Sequence, residues 1–339
     1  MRTAKHDSGF KWAVIGPGQI ARDFMYDIAL VEGFHPEVCA VLSPDGAEAR
    51  AFADRYHIPG AYTDVGRMLA ETSPDMVYIA TPHSFHCIYT LQCLEAGAGV
   101  LCEKPLGING RQVEEMVRAS RTGRTFLMEG MWIRYLPSIN RLMALLAGGA
   151  IGAIRSLEAN MSFRAPRDNE NRFYDPGLGG GSLLDLGIYP VYLALLLMGE
   201  PDSVQAHALL GETGVDEGCV VILGYGKKNA YALVESSLIK ETNKTAVIWG
   251  EKGSITVEAP WNEKPPGIRV QLYEGQPDFY PLQWPGRGFQ YEIGEALRCV
   301  LQGRIESPLH DHARSLALAR LLDEIRRQTA IYYPGGTEC

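Results

Sequence analysis

Short apolar runs separated by helix-length amphipathic stretches recur along the first 130 residues of this chain. Strands are expected at 11–15, 37–42, 76–80, 99–102 and 125–128, with a helix opening at 16 and others over 47–56, 84–96 and 110–120. Strands joined through helices need crossover connections, and these give a mostly parallel sheet covered on both faces. After Trp132 the rhythm changes. A helix at 136–146 leads to a strand at 155–164 and a long helix at 181–198. Strands then follow in succession at 203–209, 220–223, 230–236, 245–249, 254–257 and 269–273, with helices at 290–301 and 312–330 closing the chain. Strands joined by short turns imply an antiparallel sheet, so the second domain is α+β. The expected division is 8–131 and 132–339.

Gly16-Pro17-Gly18-Gln19-Ile20-Ala21 lies between the first strand and the first helix, in the pattern G-x-G-x-x-A. A dinucleotide site uses such a loop because the first glycine allows a tight turn and the second lets backbone approach a pyrophosphate. The alanine lets helix and strand pack closely, and the free N–H groups of the helix start attract phosphate oxygens. The loop therefore predicts NAD or NADP binding through Gly16, Gly18, Gln19 and Ile20. The choice between the two stays open. The end of the second strand reads Leu42-Ser43-Pro44-Asp45, where Ser43 brings no charge, Asp45 comes late for a ribose hydroxyl, and Arg50 and Arg55 lie on the next helix. The expectation leans to NADP.

Glu103-Lys104-Pro105 follows the strand at 99–102, at the carboxyl end where open α/β sheets hold ligands. A lysine fixed there can stabilise developing negative charge on a substrate oxygen. Taken alone, a solvated loop lysine paired with Glu103 is the favoured reading. Further on, Asp185 and Tyr189 stand four apart in an apolar helix and so share a face. A carboxylate among apolar neighbours is costly without a partner, and a tyrosine hydroxyl can pass a proton to or from a carbinol oxygen. The plainer alternative is a capping aspartate and a core tyrosine. Arg172 and Tyr174, in the polar loop before this helix, could line a substrate pocket.

Together these motifs, in this order and over nearly the whole chain, resemble the Gfo/Idh/MocA oxidoreductase family. The segments 126–134, 180–189 and 212–216 are similar to its branch of dimeric dihydrodiol dehydrogenases and NADP-dependent D-xylose dehydrogenases. The resemblance implies an N-terminal Rossmann domain, doubly wound and parallel, and a C-terminal α+β domain whose open, mostly antiparallel sheet serves in oligomers. It implies Lys104, Asp185 and Tyr189 as the catalytic group, and Lys104, Arg172, Tyr174, Asp185 and Tyr189 as substrate contacts. The cofactor set it implies adds Ser43, Thr81, Pro82, His83, His86, Glu103, Lys104, Trp132 and Arg134 to the glycine loop. One departure stands out: Pro44 occupies the place where this branch often has an arginine for the 2′-phosphate.

Other classes are disfavoured by composition. Lys+Arg number 32 against Asp+Glu 40, a net charge of −8, and no long basic run is present, which argues against nucleic-acid or anionic-membrane partners. The seven cysteines are odd in number and never spaced C-x-x-C, a pattern expected of reduced thiols in a cytoplasmic protein. Residues 1–10 lack the apolar core of a signal peptide, and the apolar stretch 186–199 is shorter than the ~20 residues a bilayer demands. Neither His83, His86 and Cys87 nor His310 and His312 have the spacing of a zinc site, so no metal is expected. The expected activity is hydride transfer between a nicotinamide and a secondary alcohol or carbonyl of a sugar, polyol or trans-diol, in a homodimer or higher homo-oligomer. Two alternatives remain: a glycosidase using bound NAD transiently for redox elimination, and a non-enzymatic dinucleotide sensor.

Overall fold

The computed structural model describes residues 10–167 and 171–334. The N-terminal reading of residues 1–9, the proposed domain start at 8 and Cys339 lie outside them. In chain order the first elements are β1 (Phe10–Ile15), α1 (Gln19–Asp27), β2 (Pro36–Leu42), α2 (Gly46–Tyr56), β3 (Gly60–Tyr62) and α3 (Val65–Thr72). They continue with β4 (Met76–Ile79), α4 (His86–Glu95), β5 (Gly99–Glu103), α5 (Gly110–Gly123) and β6 (Leu127–Gly130). The six strands form one sheet in the order β3-β2-β1-β4-β5-β6, every neighbouring pair parallel. This is the doubly wound Rossmann arrangement, reversing direction between β1 and β4. The central strands are buried along their length, as burial on both faces requires. Within the core Phe24 of α1 stacks on Tyr78 of β4 with ring centroids 3.9 Å apart.

The second sheet comprises β7 (Ile154–Ser162), β8 (Ser203–Leu210), β9 (Asp216–Tyr225), β10 (Ala230–Ser237), β11 (Ala246–Gly250), β12 (Gly253–Val257), β13 (Gly267–Leu272) and β14 (Asp278–Pro281). Their order is β14-β13-β12-β11-β7-β10-β9-β8, antiparallel except for β7 beside β10. One face packs against α6 (Pro137–Ala147) and α7 (Ile188–Met198). Residues 188–195 of α7 are buried on every side, which marks the apolar stretch 186–199 as a core element. The other face is open. There Val220 and Ile222 of β9, Tyr231 and Leu233 of β10, Trp249 of β11 and Phe279 of β14 are exposed, and the register puts Ile222 beside Leu233. The chain ends with α8 (Phe289–Leu301) and α9 (His312–Thr329). Gln328 of α9 covers the edge of β8: its amide oxygen accepts from the Ala206 N–H and its nitrogen donates to the Val204 carbonyl.

Two compact units result, and the first is discontinuous in sequence: residues 10–132 with Pro285–Ser315, against Ile133–Trp284 with residues 316–334. The sequence rhythm places 285–315 in the second domain. The physical reason for the difference is Asp27, fully buried at the end of α1, whose two oxygens accept from the N–H groups of Arg287, Gly288 and Phe289 at 2.8–3.0 Å. Those are free donors at the start of α8, so α1 caps a helix some 260 residues away.

Other expectations shift locally. β3, α3 and β14 were too short or too weakly patterned to be read from sequence. Ile20, at the start of α1, is exposed, while Asp23 one turn on is buried. The helix expected over 181–198 is interrupted by a π-helical turn at Leu183–Gly187. Cys39, Cys93, Cys102, Cys219 and Cys299 are free thiols, but Cys87 is disulfide-bonded, contrary to the expectation of thiols throughout.

Candidate active site

In the first unit the glycine loop crosses the carboxyl ends of β1 and β4, the point where the sheet reverses direction. Gly16 has φ +89°, and a Cβ there would lie 2.7 Å from the Ala80 carbonyl oxygen and 2.8 Å from the Thr81 nitrogen, so only glycine fits. Gly18 is the N-cap of α1, with no side-chain cap and open space where a Cβ would stand. Gln19 and Ile20 are exposed beside it, Gln19 donating to Asp23. Uncapped N–H groups, a helix dipole and room for close backbone approach are the fittings of a dinucleotide pyrophosphate, so these residues match an NAD(P) site.

The other predicted cofactor residues of this unit divide into surface and support. Thr81, Pro82 and Trp132 are half-buried, and Trp132 stacks on Phe289 at 5.3 Å. Ser43 is turned inward: its hydroxyl donates to Glu48 at 2.6 Å and accepts from the Asp45 N–H. Asp45 itself caps α2 through the Ala47 and Glu48 N–H groups. His86 has no exposed surface, and its two ring nitrogens lie 2.7 Å from the Pro105 carbonyl and 3.0 Å from the Thr81 carbonyl. It braces the loop after β4 against the loop after β5, and burial holds its pKa below the ordinary value. His83 is buried against it, edge to ring.

Lys104 follows β5 and is nearly buried, as is Glu103. Glu103 accepts from the Tyr78 hydroxyl at 2.6 Å. Past Pro105 the chain is anchored by Glu129 of β6, which accepts from the Leu106 N–H at 3.0 Å and meets His310 at 2.9 Å, with Ser315 on the same imidazole nitrogen. Burial alone would push the Glu129 carboxyl up; His310, Ser315 and the Leu106 N–H outweigh it and hold the group below its ordinary value. His312 in turn reaches the Leu127 carbonyl. Both C-terminal histidines therefore brace β6. No sequence pattern near residue 129 signals this support, since its partners lie some 180 residues downstream.

In the second unit Asp185 occupies the middle of the π-helical turn and Tyr189 the first turn of α7. Each is less than a tenth exposed. The Ile188 N–H reaches back five residues to the Leu183 carbonyl, and Pro190 contributes no N–H to the turn that follows. Asp185 is paired with Arg172, whose guanidinium lies 3.3 Å from Oδ1 and 4.1 Å over the Phe173 ring. Tyr174 is buried, its hydroxyl directed to the Ala165 carbonyl at 3.5 Å, and burial pushes its pKa up. Arg134 is buried and donates to Asn140 at 3.0 Å. Three glycines make the packing possible. A Cβ on Gly180 would meet the backbone oxygens of Arg172 and Phe173 at 2.7 Å, one on Gly181 the Asp216 carboxyl at 2.3 Å, and one on Gly187 the Ser236 hydroxyl at 2.9 Å.

Comparison with known proteins agrees with this geometry. A family model described as an oxidoreductase family with an NAD-binding Rossmann fold matches residues 10–131, and a GFO/IDH/MocA C-terminal domain model matches 139–256. The chain belongs to the Gfo/Idh/MocA oxidoreductases. It is similar to the trans-1,2-dihydrobenzene-1,2-diol dehydrogenases of Xenopus tropicalis and Homo sapiens, at 33% and 31% identity over 96% of its length and 99% and 98% of theirs. Among solved structures, the aldose-aldose oxidoreductase of Caulobacter crescentus, complexed with glycerol, matches with a TM-score of 0.86 at 26% identity over 95% of this chain and 98% of that one. A 3-ketoreductase from Actinomadura kijaniata, solved with NADP and TDP-benzene, shares the fold with a TM-score of 0.84 at 24% identity over 95% and 98% of the two chains. This Gfo/Idh/MocA protein is an NAD(P)-binding oxidoreductase.

Proposed function

We propose that this enzyme interconverts a secondary alcohol and the corresponding carbonyl on a sugar, polyol or trans-diol, with NADP or NAD as redox partner. The observation that carries the proposal is the Arg172-paired carboxylate of Asp185 in an apolar segment, one turn before the nearly buried Tyr189. The dinucleotide, its pyrophosphate held at Gly16, Gly18, Gln19 and Ile20, would supply a hydride acceptor or donor at its nicotinamide. Tyr189 passes the hydroxyl proton of the carbinol, Asp185 orients that exchange, and Lys104 stabilises negative charge on the substrate oxygen. Arg172 pairs with Asp185 at 3.3 Å and lends a donor for a substrate hydroxyl. The substrate class follows the dehydrogenases and sugar oxidoreductase that the chain resembles. Their common feature is a secondary CH–OH beside another oxygen.

A second copy of the chain pairs through the open face of the second sheet. Supporting this are the contiguous apolar side chains Ile222 and Leu233 and their exposed neighbours, which make a large patch for a monomer to leave uncovered. The test of function is absorbance at 340 nm across cyclic polyols, aldopyranoses and trans-diols, with NAD and with NADP in separate series. At least one member reduces one cofactor with stoichiometric product. Silence across the whole panel with both cofactors, in protein that binds them, contradicts the proposal.

A further inference from the structure

The segment 212–216, singled out in the sequence, has no part in the function just described, yet its last residue meets the site from behind. Asp216, the first residue of β9, is fully buried. Its Oδ2 accepts two hydrogen bonds, from the Ser182 hydroxyl at 2.6 Å and from the Leu183 N–H at 2.7 Å. Ser182 lies in turn 3.0 Å from the Ser236 hydroxyl of β10. Oδ1 has no hydrogen-bond partner among the described residues. Leu183 begins the π-helical turn, and Asp185 is two residues further on.

A π-turn is uncommon and less favourable than the α-helix around it, so it persists only where its surroundings hold it. Its first N–H groups lack partners within the turn, and a carboxylate is the strongest acceptor for them. Asp216 supplies that acceptor from a strand rather than from the preceding residue. Gly181, at φ +106°, leaves the space the carboxyl occupies, and Gly187 lets the far end of the turn rest on Ser236. We propose that Asp216 is a positioning residue: by accepting from Ser182 and Leu183 it holds the π-helical turn that sets the directions of Asp185 and Tyr189. Were the turn to relax to α-helical register, residues on either side would rotate relative to each other and the pair would lose its alignment.

Burial pushes the Asp216 carboxyl up to about 7, so holding its charge there is costly, and the two bonds at Oδ2 need only an acceptor oxygen. An uncharged acceptor of the same shape should therefore serve. The inference rests on the roles given to Asp185 and Tyr189, and the experiment separates the two. Asp216→Ala, Asp216→Asn, Ser182→Ala and Tyr189→Phe are compared for kcat, KM and the Kd of NADPH, on the substrate accepted by the wild type. Asp216→Ala lowers kcat by about 30-fold or more, on the scale of breaking hydrogen bonds to a buried carboxylate, with the NADPH Kd within about twofold of wild type. Asp216→Asn restores kcat to within about fivefold of wild type, and Ser182→Ala, losing one of two bonds, lowers it on the order of 10-fold. A merely structural role would lower the amount of active enzyme without this split or rescue. If Asp216→Ala does not fold, the Asn and Ser182→Ala variants decide the matter alone. Wild-type kcat in Asp216→Ala or Ser182→Ala, or a loss in Asp216→Asn as deep as in Asp216→Ala, overturns the inference. Undiminished turnover in Tyr189→Phe overturns the reading of the site itself; an inactive Tyr189→Phe beside a fully active Asp216→Ala overturns only the positioning role.

Discussion

Glu292 stands on the first turn of α8 with both carboxyl oxygens buried and without a partner among the described residues. Burial, then the charges of Glu103 and Asp27, push its pKa well above the ordinary 4.5. The sign of the consequence follows from linkage. A carboxyl raised in the folded state costs nothing below the unfolded pKa and destabilises increasingly as pH rises through the folded value. Glu292→Gln removes that titration. The Tm of the variant relative to wild type should therefore rise between pH 5.5 and 8.5, by at least about 1.4 °C, the shift that roughly 1 kcal/mol produces in a protein of this size. A gap that stays constant with pH would contradict the assignment. At this scale the sequence was legible where a residue stands out from its surroundings: Gly16 in a turn only glycine fits, and Asp185 in an otherwise apolar buried segment. It was opaque where support comes from afar. Nothing near Asp27, Glu129 or Asp216 reveals that the donors they accept from lie in distant segments. Ser43 and His86 could be read as facing a cofactor, whereas their polar atoms are engaged inside the protein.

Among the elements, the parallel strands were readable because burial on both faces leaves continuous apolar runs, and β9 and β10 because their residues alternate. β3, at three residues, is too short to carry a pattern. The π-turn was hidden for a different reason: an apolar run containing Asp185 and Gly187 has the composition of an α-helix, and the wider turn depends on Asp216 and Ser236 from two strands. The open sheet face yields a prediction of its own. Ile222 and Leu233 are cross-strand neighbours with exposed side chains, so paired glutamates there repel each other and resist burial against a second copy. Ile222→Glu combined with Leu233→Glu should shift the protein from dimer to monomer in sedimentation velocity, with the far-UV spectrum unchanged. A wild type that sediments as a monomer, or a double variant that remains dimeric, would contradict pairing through this face.

For the molecule as a whole, family membership extends over 96% of the chain, and the two family models leave the last eighty residues outside their matches. Those residues do more than follow on. They return α8 to the first unit, where Asp27 caps it, and supply His310 and Ser315 to the glutamate that anchors the chain beyond Lys104. The division of labour is accordingly one of topology: a parallel sheet whose loops fit a dinucleotide, and a second sheet from which the buried Asp216 bonds a short, irregular turn bearing Asp185, just before Tyr189. The proposed activity turns on the tyrosine. Its most direct test is the turnover of Tyr189→Phe at 340 nm on an accepted alcohol, measured beside the affinity for NADPH. Loss of a general acid–base should lower kcat by ~10²-fold or more while the cofactor Kd stays near wild type. Wild-type turnover in that variant would contradict the account.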